Sequence, residues 1–98
     1  MLDKRKFYID GKWVSPSKPS DLEVINPSTE EAFATISLGS KEDTNSAVSA
    51  AKKALVNWSE SSKEERIKLL EKLLDIYKKR YSEMTEAISM EMGAPMDW

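Results

Sequence analysis

Apolar and polar residues alternate in short runs up to Gly39, and apolar residues recur at spacings of three and four from Ser40 onward. The first regime predicts strands and the second predicts helices. In "KFYIDGKWV", residues 6–14, the pair Asp10-Gly11 is the two-residue signal of a type I′ turn. That segment reads as a tight β-hairpin whose apolar residues are Phe7, Ile9, Trp13 and Val14. "SPSKPSD", residues 15–21, is a polar loop without periodicity. "LEVI", residues 22–25, alternates with Leu22 and Val24 on one face. "AFATISL", residues 32–38, alternates with Ala32, Ala34, Ile36 and Leu38 on one side. Between the two, "NPSTEE" is a turn: the Asn26 side chain can accept from backbone N–H nearby, and Pro27 presets φ. Residues 6–38 are thus expected to form three or four short antiparallel strands, a sheet too small to stand without a covering layer.

A helix is expected over residues 40–58. Ser40, with Asp43 three residues on, has the form of a capping box. Ala47, Val48, Ala51, Ala54, Leu55 and Trp58 then make one apolar stripe. The stripe is mostly alanine, which lets another backbone approach closely, and Trp58 closes it. A second helix opens at Ser62, where Glu65 completes another capping box. Ile67, Leu70, Leu74, Tyr77, Tyr81, Met84 and Ile88 follow in alternating steps of three and four, and Leu69, Leu73 and Ile76 widen the face. Unbroken from 62 to 92 this helix would run about 30 residues, long for a small domain. A break near 80–83 is therefore expected, with Ser82 as a possible cap, giving a kinked helix or a helix pair. The face is wider than a strict coiled-coil seam and holds two tyrosines, which favours a helix packed in a globular core. The fold class is α+β: short antiparallel strands, then two or three amphipathic helices, in a single segment. Gly93 and Pro95 are helix stop signals that normally introduce a next element. None follows before Trp98, so the chain is expected to be the opening segment of a longer polypeptide.

Charge and composition exclude several classes of function. The 15 basic and 17 acidic residues are interspersed and nearly balance, which gives neither the basic face of a nucleic-acid binder nor a polybasic membrane patch. No apolar run is long enough to cross a membrane, and polar residues stand where a secretion signal would need its apolar stretch. The default setting is cytoplasmic. The sequence holds neither Cys nor His, which removes the thiolate nucleophile, the zinc-thiolate site and the commonest general base. Glu60, Glu64, Glu65, Glu71 and Asp75 lie among lysines and read as a solvated helix face, not as acid–base pairs. Gly11, Gly39 and Gly93 are too far apart to form a phosphate-binding loop. Trp13, Trp58 and Trp98 read as packing anchors, since no basic groove accompanies them. Glu91 stands out because it falls in a final helical turn, where the helix dipole disfavours negative charge, and so calls for a cation or a donor. No catalytic constellation emerges from the residues.

The order of the pieces adds to this picture. "FYIDGKWV", "VINPSTEEAFATI", "SKEDTNSAVSAAKKALVNW" and "ERIKLLEKLLDIYKKRYSEMTEAISMEMGAP" together resemble the N-terminal segment of the NAD(P)-dependent aldehyde dehydrogenase superfamily, from about residue 7 to residue 95. Where that family often has Gly-Lys-Pro, this chain has Ala94 in the middle position. The resemblance implies a parent enzyme of α/β fold that uses NAD or NADP. Its cysteine thiolate attacks an aldehyde, a hydride passes to the nicotinamide, and the thioester is hydrolysed to a carboxylic acid. None of that machinery maps onto this chain, so no catalytic and no cofactor-binding residue is expected here, and the chain alone is expected to be inactive. The segment would belong to the parent's cofactor-binding domain and cover the outside of its sheet, with the rest of the parent enzyme as its partner. The resemblance also implies a monovalent-cation site, held by the main-chain carbonyls of Val24 and Ile25 and by the Glu91 carboxylate. A second reading remains: a stand-alone, non-enzymatic interaction domain that self-associates or binds a partner through its uncovered helix face.

Overall fold

The computed structural model describes residues 1–97. Chain order runs β1 (Leu2–Lys4), β2 (Phe7–Ile9), β3 (Lys12–Val14), β4 (Asp21–Asn26), β5 (Glu31–Ser37), α1 (Lys41–Trp58), α2 (Lys63–Lys79) and α3 (Tyr81–Met92). The hairpin is built as its turn dipeptide dictates. Asp10 and Gly11 take φ of 54° and 71°, the left-handed pair of a type I′ turn, and Phe7 pairs with Val14 across the antiparallel β2–β3 ribbon. Tyr8 and Trp13 stack across it with ring centroids 5.1 Å apart.

A separate three-stranded sheet has the order β1-β5-β4. The antiparallel β4–β5 pair sits where the alternation placed it, joined by the Asn26 turn: the Ser28 N–H donates to Asn26 Oδ1 at 2.9 Å and the Glu30 N–H to the Asn26 carbonyl at 2.8 Å. Two features depart from the sequence pattern. First, β1 is an added strand ahead of residue 6, and it pairs parallel to β5, Leu2 opposite Ala34. Its three residues are too few to show a period. It is held by the long-range ladder and by the Ser37 hydroxyl, which donates to the Arg5 carbonyl at 2.7 Å. Second, the register shifts within β4–β5: Val24 faces Ala34 while Ile25 faces Ala32, so Phe33 is the extra residue of a bulge. The bulge moves the later residues of β5 out of phase with its first residue. Ala34 and Ser37 are the buried positions of β5, three residues apart and so on opposite faces, and Leu38, past the end of the strand, is exposed.

Both expected capping boxes are present. The Asp43 N–H donates to Ser40 Oγ at 3.3 Å while the Ser40 N–H donates to Asp43 Oδ2 at 3.0 Å. Ser62 and Glu65 exchange the same pair of bonds, both at 3.2 Å. The break in the long helix falls at Arg80, with φ −105° and ψ 17°. Ser82 does not cap it: the N-cap position of α3 is Arg80, without a side-chain cap bond, and Ser82 lies inside the helix. The helical bonding barely lapses, as the Arg80 N–H still donates to the Ile76 carbonyl at 3.0 Å, so no extended residue arises for Ser82 to cap. The Arg80 guanidinium instead pairs with the Glu83 carboxylate at 3.0 Å, and Tyr77 meets Tyr81 edge to face across the kink.

The helices hardly touch one another. α1 lies against β2, α3 lies against β4, and α2 meets only α3 among the described elements. Ala34 and Ser37 are the only buried residues described, and the alanine stripe of α1 stays exposed at Val48, Leu55 and Trp58. Trp13 and Trp58 are 67% and 46% exposed, so neither anchors a core within the chain, and Trp98 lies outside the described residues. The molecule is a slab of 48 × 37 × 15 Å with a radius of gyration of 17.2 Å. A globular chain of this length would have a radius of about 13 Å.

Candidate functional site

The three residues expected to hold a cation come from opposite ends of the chain. Val24 and Ile25 lie on β4 at the point where the bulge interrupts the ladder, which takes main-chain groups there out of regular pairing. Val24 is half-buried and Ile25 is exposed. Glu91 lies in the last turn of α3. That turn is brought to the end of β4 by its cap. Gly93 adopts φ 75°, its N–H donates to the Ser89 carbonyl at 2.8 Å, and its Cα faces Pro27 and Ser28 of the turn after β4. A Cβ added at Gly93 would lie 3.2 Å from Pro27 Cγ. Glycine is therefore favoured there twice, for its φ and for its closeness to the "NP" turn.

The donor chemistry of the three groups, two carbonyl oxygens and one carboxylate, suits a hard cation. Three oxygens are fewer than such an ion takes, and the Glu91 side chain is exposed. Among the described residues Glu91 has neither a hydrogen bond nor an ion pair, and no group of three or more His, Cys, Asp or Glu side chains gathers to hold a metal.

The charged groups that do find partners serve the fold. Asp43 accepts from the Ser40 N–H and also from the Ser17 N–H at 3.0 Å, and Ser17 Oγ lies 2.7 Å from Ser40 Oγ. These bonds, that of the Ser40 N–H first, hold the Asp43 carboxyl below the usual range and fasten the polar loop to the start of α1. A carboxylate so occupied cannot act as a proton donor near neutral pH. The hydrogen bond from Arg5 draws Asp3 down to about 2, and the same pair raises Arg5. Glu83 is lowered and Arg80 raised by their shared bond. Glu60, Glu64, Glu65, Glu71 and Asp75 are all exposed, as a solvated face requires. The Ser17–Asp43 link and the Asp3–Arg5–Asp21 cluster were not legible in the sequence. Each joins polar residues whose meeting depends on how the loop and β1 fold back.

The concave surfaces among the described residues include two that lie against helices. An open groove of about 690 Å³ lies between the hairpin turn and α1, lined by Asp10, Lys12, Ser17, Asp43, Ser46 and Lys53. An apolar groove of about 430 Å³ lies inside the α2–α3 kink, lined by Leu73, Ile76, Tyr77 and Met84 with Arg80 and Glu83 at its edge. Neither brings a nucleophile together with a base.

Comparison with known proteins places this architecture. The sequence matches the aldehyde dehydrogenase family over residues 13–98. It is 46% identical over 96 residues to the 3-succinoylsemialdehyde-pyridine dehydrogenase of a Pseudomonas species, covering 98% of this chain and 20% of that protein. The structure superimposes on the aldehyde dehydrogenase of Bartonella henselae with a TM-score of 0.98 and 60% identity, over 99% of this chain and 20% of that one. Aldehyde dehydrogenase C of Pseudomonas syringae, solved with NAD+ and octanal, gives a TM-score of 0.92 at 41% identity, over 94% of this chain and 19% of that one. The chain thus spans about a fifth of the length of the relatives it matches, and it corresponds to their N-terminal portion. The family match spans most of the chain and the backbone superimposes over nearly its whole length, and the chain belongs to the aldehyde dehydrogenase family.

Proposed function

We propose that this chain is a non-catalytic layer of an NAD- or NADP-dependent aldehyde dehydrogenase, an enzyme that oxidises an aldehyde to a carboxylic acid. The observation that carries this reading is the uncovered surface. The chain exposes 8413 Å², whereas a globular monomer of this length would expose roughly 5,700 Å². The excess is the size that obligate partners hide from water. In this reading the rest of the parent polypeptide covers the sheet, the alanine stripe of α1 and the helix faces, and it supplies the nucleophile and the dinucleotide site. Bound there, the dinucleotide would supply the hydride acceptor. This chain's own residues shape and dry the outside of that domain. The Val24 and Ile25 carbonyls and the Glu91 carboxylate would contribute part of a monovalent-cation shell, tying the end of α3 to β4, and the remainder would complete it. The reading places the enzyme in the cytoplasm, where a catalytic thiolate stays reduced.

The test is a split enzyme. The matching segment of the Pseudomonas syringae enzyme is removed and this chain supplied in its place, with reduction of NAD+ by octanal as the readout. The expected result is restored turnover in the mixture and none from the chain alone. Failure of this chain, where the native segment supplied the same way succeeds, would contradict the proposal. The second reading, a stand-alone interaction domain, draws support from α2, which among the described elements meets only α3.

A further inference from the structure

β2 and β3 form a two-stranded ribbon apart from the three-stranded sheet, with three residues in each strand. A ribbon that short is marginal in water. α1 lies against β2, while Tyr8 and Trp13 are exposed. The turn is Asp10-Gly11, and both of its residues are exposed. Asp10 is also the one Asp or Asn of the sequence that is followed by Gly. Gly11 has no Cβ to shield its nitrogen, and open space lies where one would stand. The ladder pairs Ile9 with Lys12, so the Gly11 N–H lies outside it. Asn26, by contrast, precedes Pro27, which has no N–H, and Asn45 and Asn57 lie within α1.

An aspartyl side chain so placed can close on the next main-chain nitrogen. The Gly11 nitrogen attacks Asp10 Cγ, a C–N bond forms, and the carboxyl hydroxyl leaves with the amide proton as water. The product is a five-membered imide. One water then opens it, either at Cγ, which restores aspartate, or at the Asp10 main-chain carbonyl carbon, which gives isoaspartate. The sum is an isomerisation that uses no oxidant and no cofactor. The folded turn opposes its first step. With Asp10 at φ 54° in a type I′ turn, the Gly11 nitrogen stands nearly opposite Cβ across the Cα–C bond, out of reach of Cγ. Attack therefore needs the ribbon open. Isoaspartate then adds one carbon to the main chain of the turn, and because hairpin register depends on loop length, a modified ribbon does not re-form in register. We infer that Asp10-Gly11 is a site of spontaneous isomerisation to isoaspartate, gated by opening of the β2–β3 ribbon. The inference rests on the turn and not on dehydrogenase chemistry.

The test ages the purified chain at neutral pH and physiological temperature, with and without guanidinium chloride. Enzymatic methyl transfer to isoaspartyl carboxylates measures the product. Trypsin releases residues 7–12 as one peptide, whose aspartyl and isoaspartyl forms separate by chromatography. The expected result is isoaspartate accumulating in that peptide, several-fold faster in denaturant. Asp10→Glu keeps the charge but lengthens the side chain, and it should end the reaction. Asp10→Asn forms the same imide with loss of ammonia and should yield isoaspartate sooner, although Asn-Gly suits the turn as well. Absence of isoaspartate from residues 7–12 of the folded chain, a rate unchanged by denaturant, or product that persists in Asp10→Glu would each overturn the inference.

Discussion

Gly93 shows how much one residue settles here. Its φ of 75° costs any other L-residue about 1–2 kcal/mol, and a Cβ there would lie 3.2 Å from the Pro27 ring, tight enough that the ring would have to give slightly. Gly11 has a similar φ of 71° but open space around it. Gly11→Ala is therefore expected to cost about 1 kcal/mol and Gly93→Ala about 2 kcal/mol, the difference being the clash. Urea titrations of the two variants side by side check the order. At the other end of the chain Asp3 lies below the ordinary carboxylate value, at about 2, because Arg5 donates to it. A lowered acid contributes stability that is complete above about 4 and is lost as pH falls through its folded pKa. An NMR titration should find the Asp3 midpoint near 2 and see it return to the ordinary range in Arg5→Ala. The residues proposed to hold a cation mark the limit of reading residue by residue. Glu91 was conspicuous from its place in the final turn, but Val24 and Ile25 carry no side-chain signal, since carbonyls are common to every residue. Only family resemblance singled them out.

The elements that were legible are those fixed by neighbours in sequence. The Asp10-Gly11 turn, the two capping boxes and the Gly93 stop depend on residues within four positions of each other, and each forms as the pattern implies. β1 and the bulge at Phe33 were not legible, because each exists only through pairing with a distant strand. The break at Arg80 was foreseen from helix length, whereas its cap was not. A serine at the right spacing caps a helix only if the backbone before it is extended, and here the chain stays nearly helical through the break. That distinction is testable. Ser62→Ala removes a working cap and should cost about 1 kcal/mol of helix stability, while Ser82→Ala, inside α3, should cost nothing or gain slightly. Far-UV circular dichroism followed through a urea titration separates the two; an equal loss from both would restore Ser82 as a cap.

For the molecule as a whole, the sequence pattern and the structure agree on the helices and differ on what they face. The periodicity over 62–92 suits a helix packed in a globular core, yet α2 and α3 have no buried residue. Periodicity reports that a face must be covered, not which chain covers it. The slab is 15 Å thick, about one layer of secondary structure, where a domain needs two packed around a core. The central claim is that this chain has no core of its own and is made to lie against another surface. Differential scanning calorimetry of the isolated chain tests it most directly. A self-sufficient domain of this length would absorb roughly 70 kcal/mol in one cooperative transition. The expected result is a weak, broad transition of far smaller heat, with a midpoint that rises with protein concentration as copies cover one another. A sharp transition near the full heat, at a temperature independent of concentration, would contradict the claim.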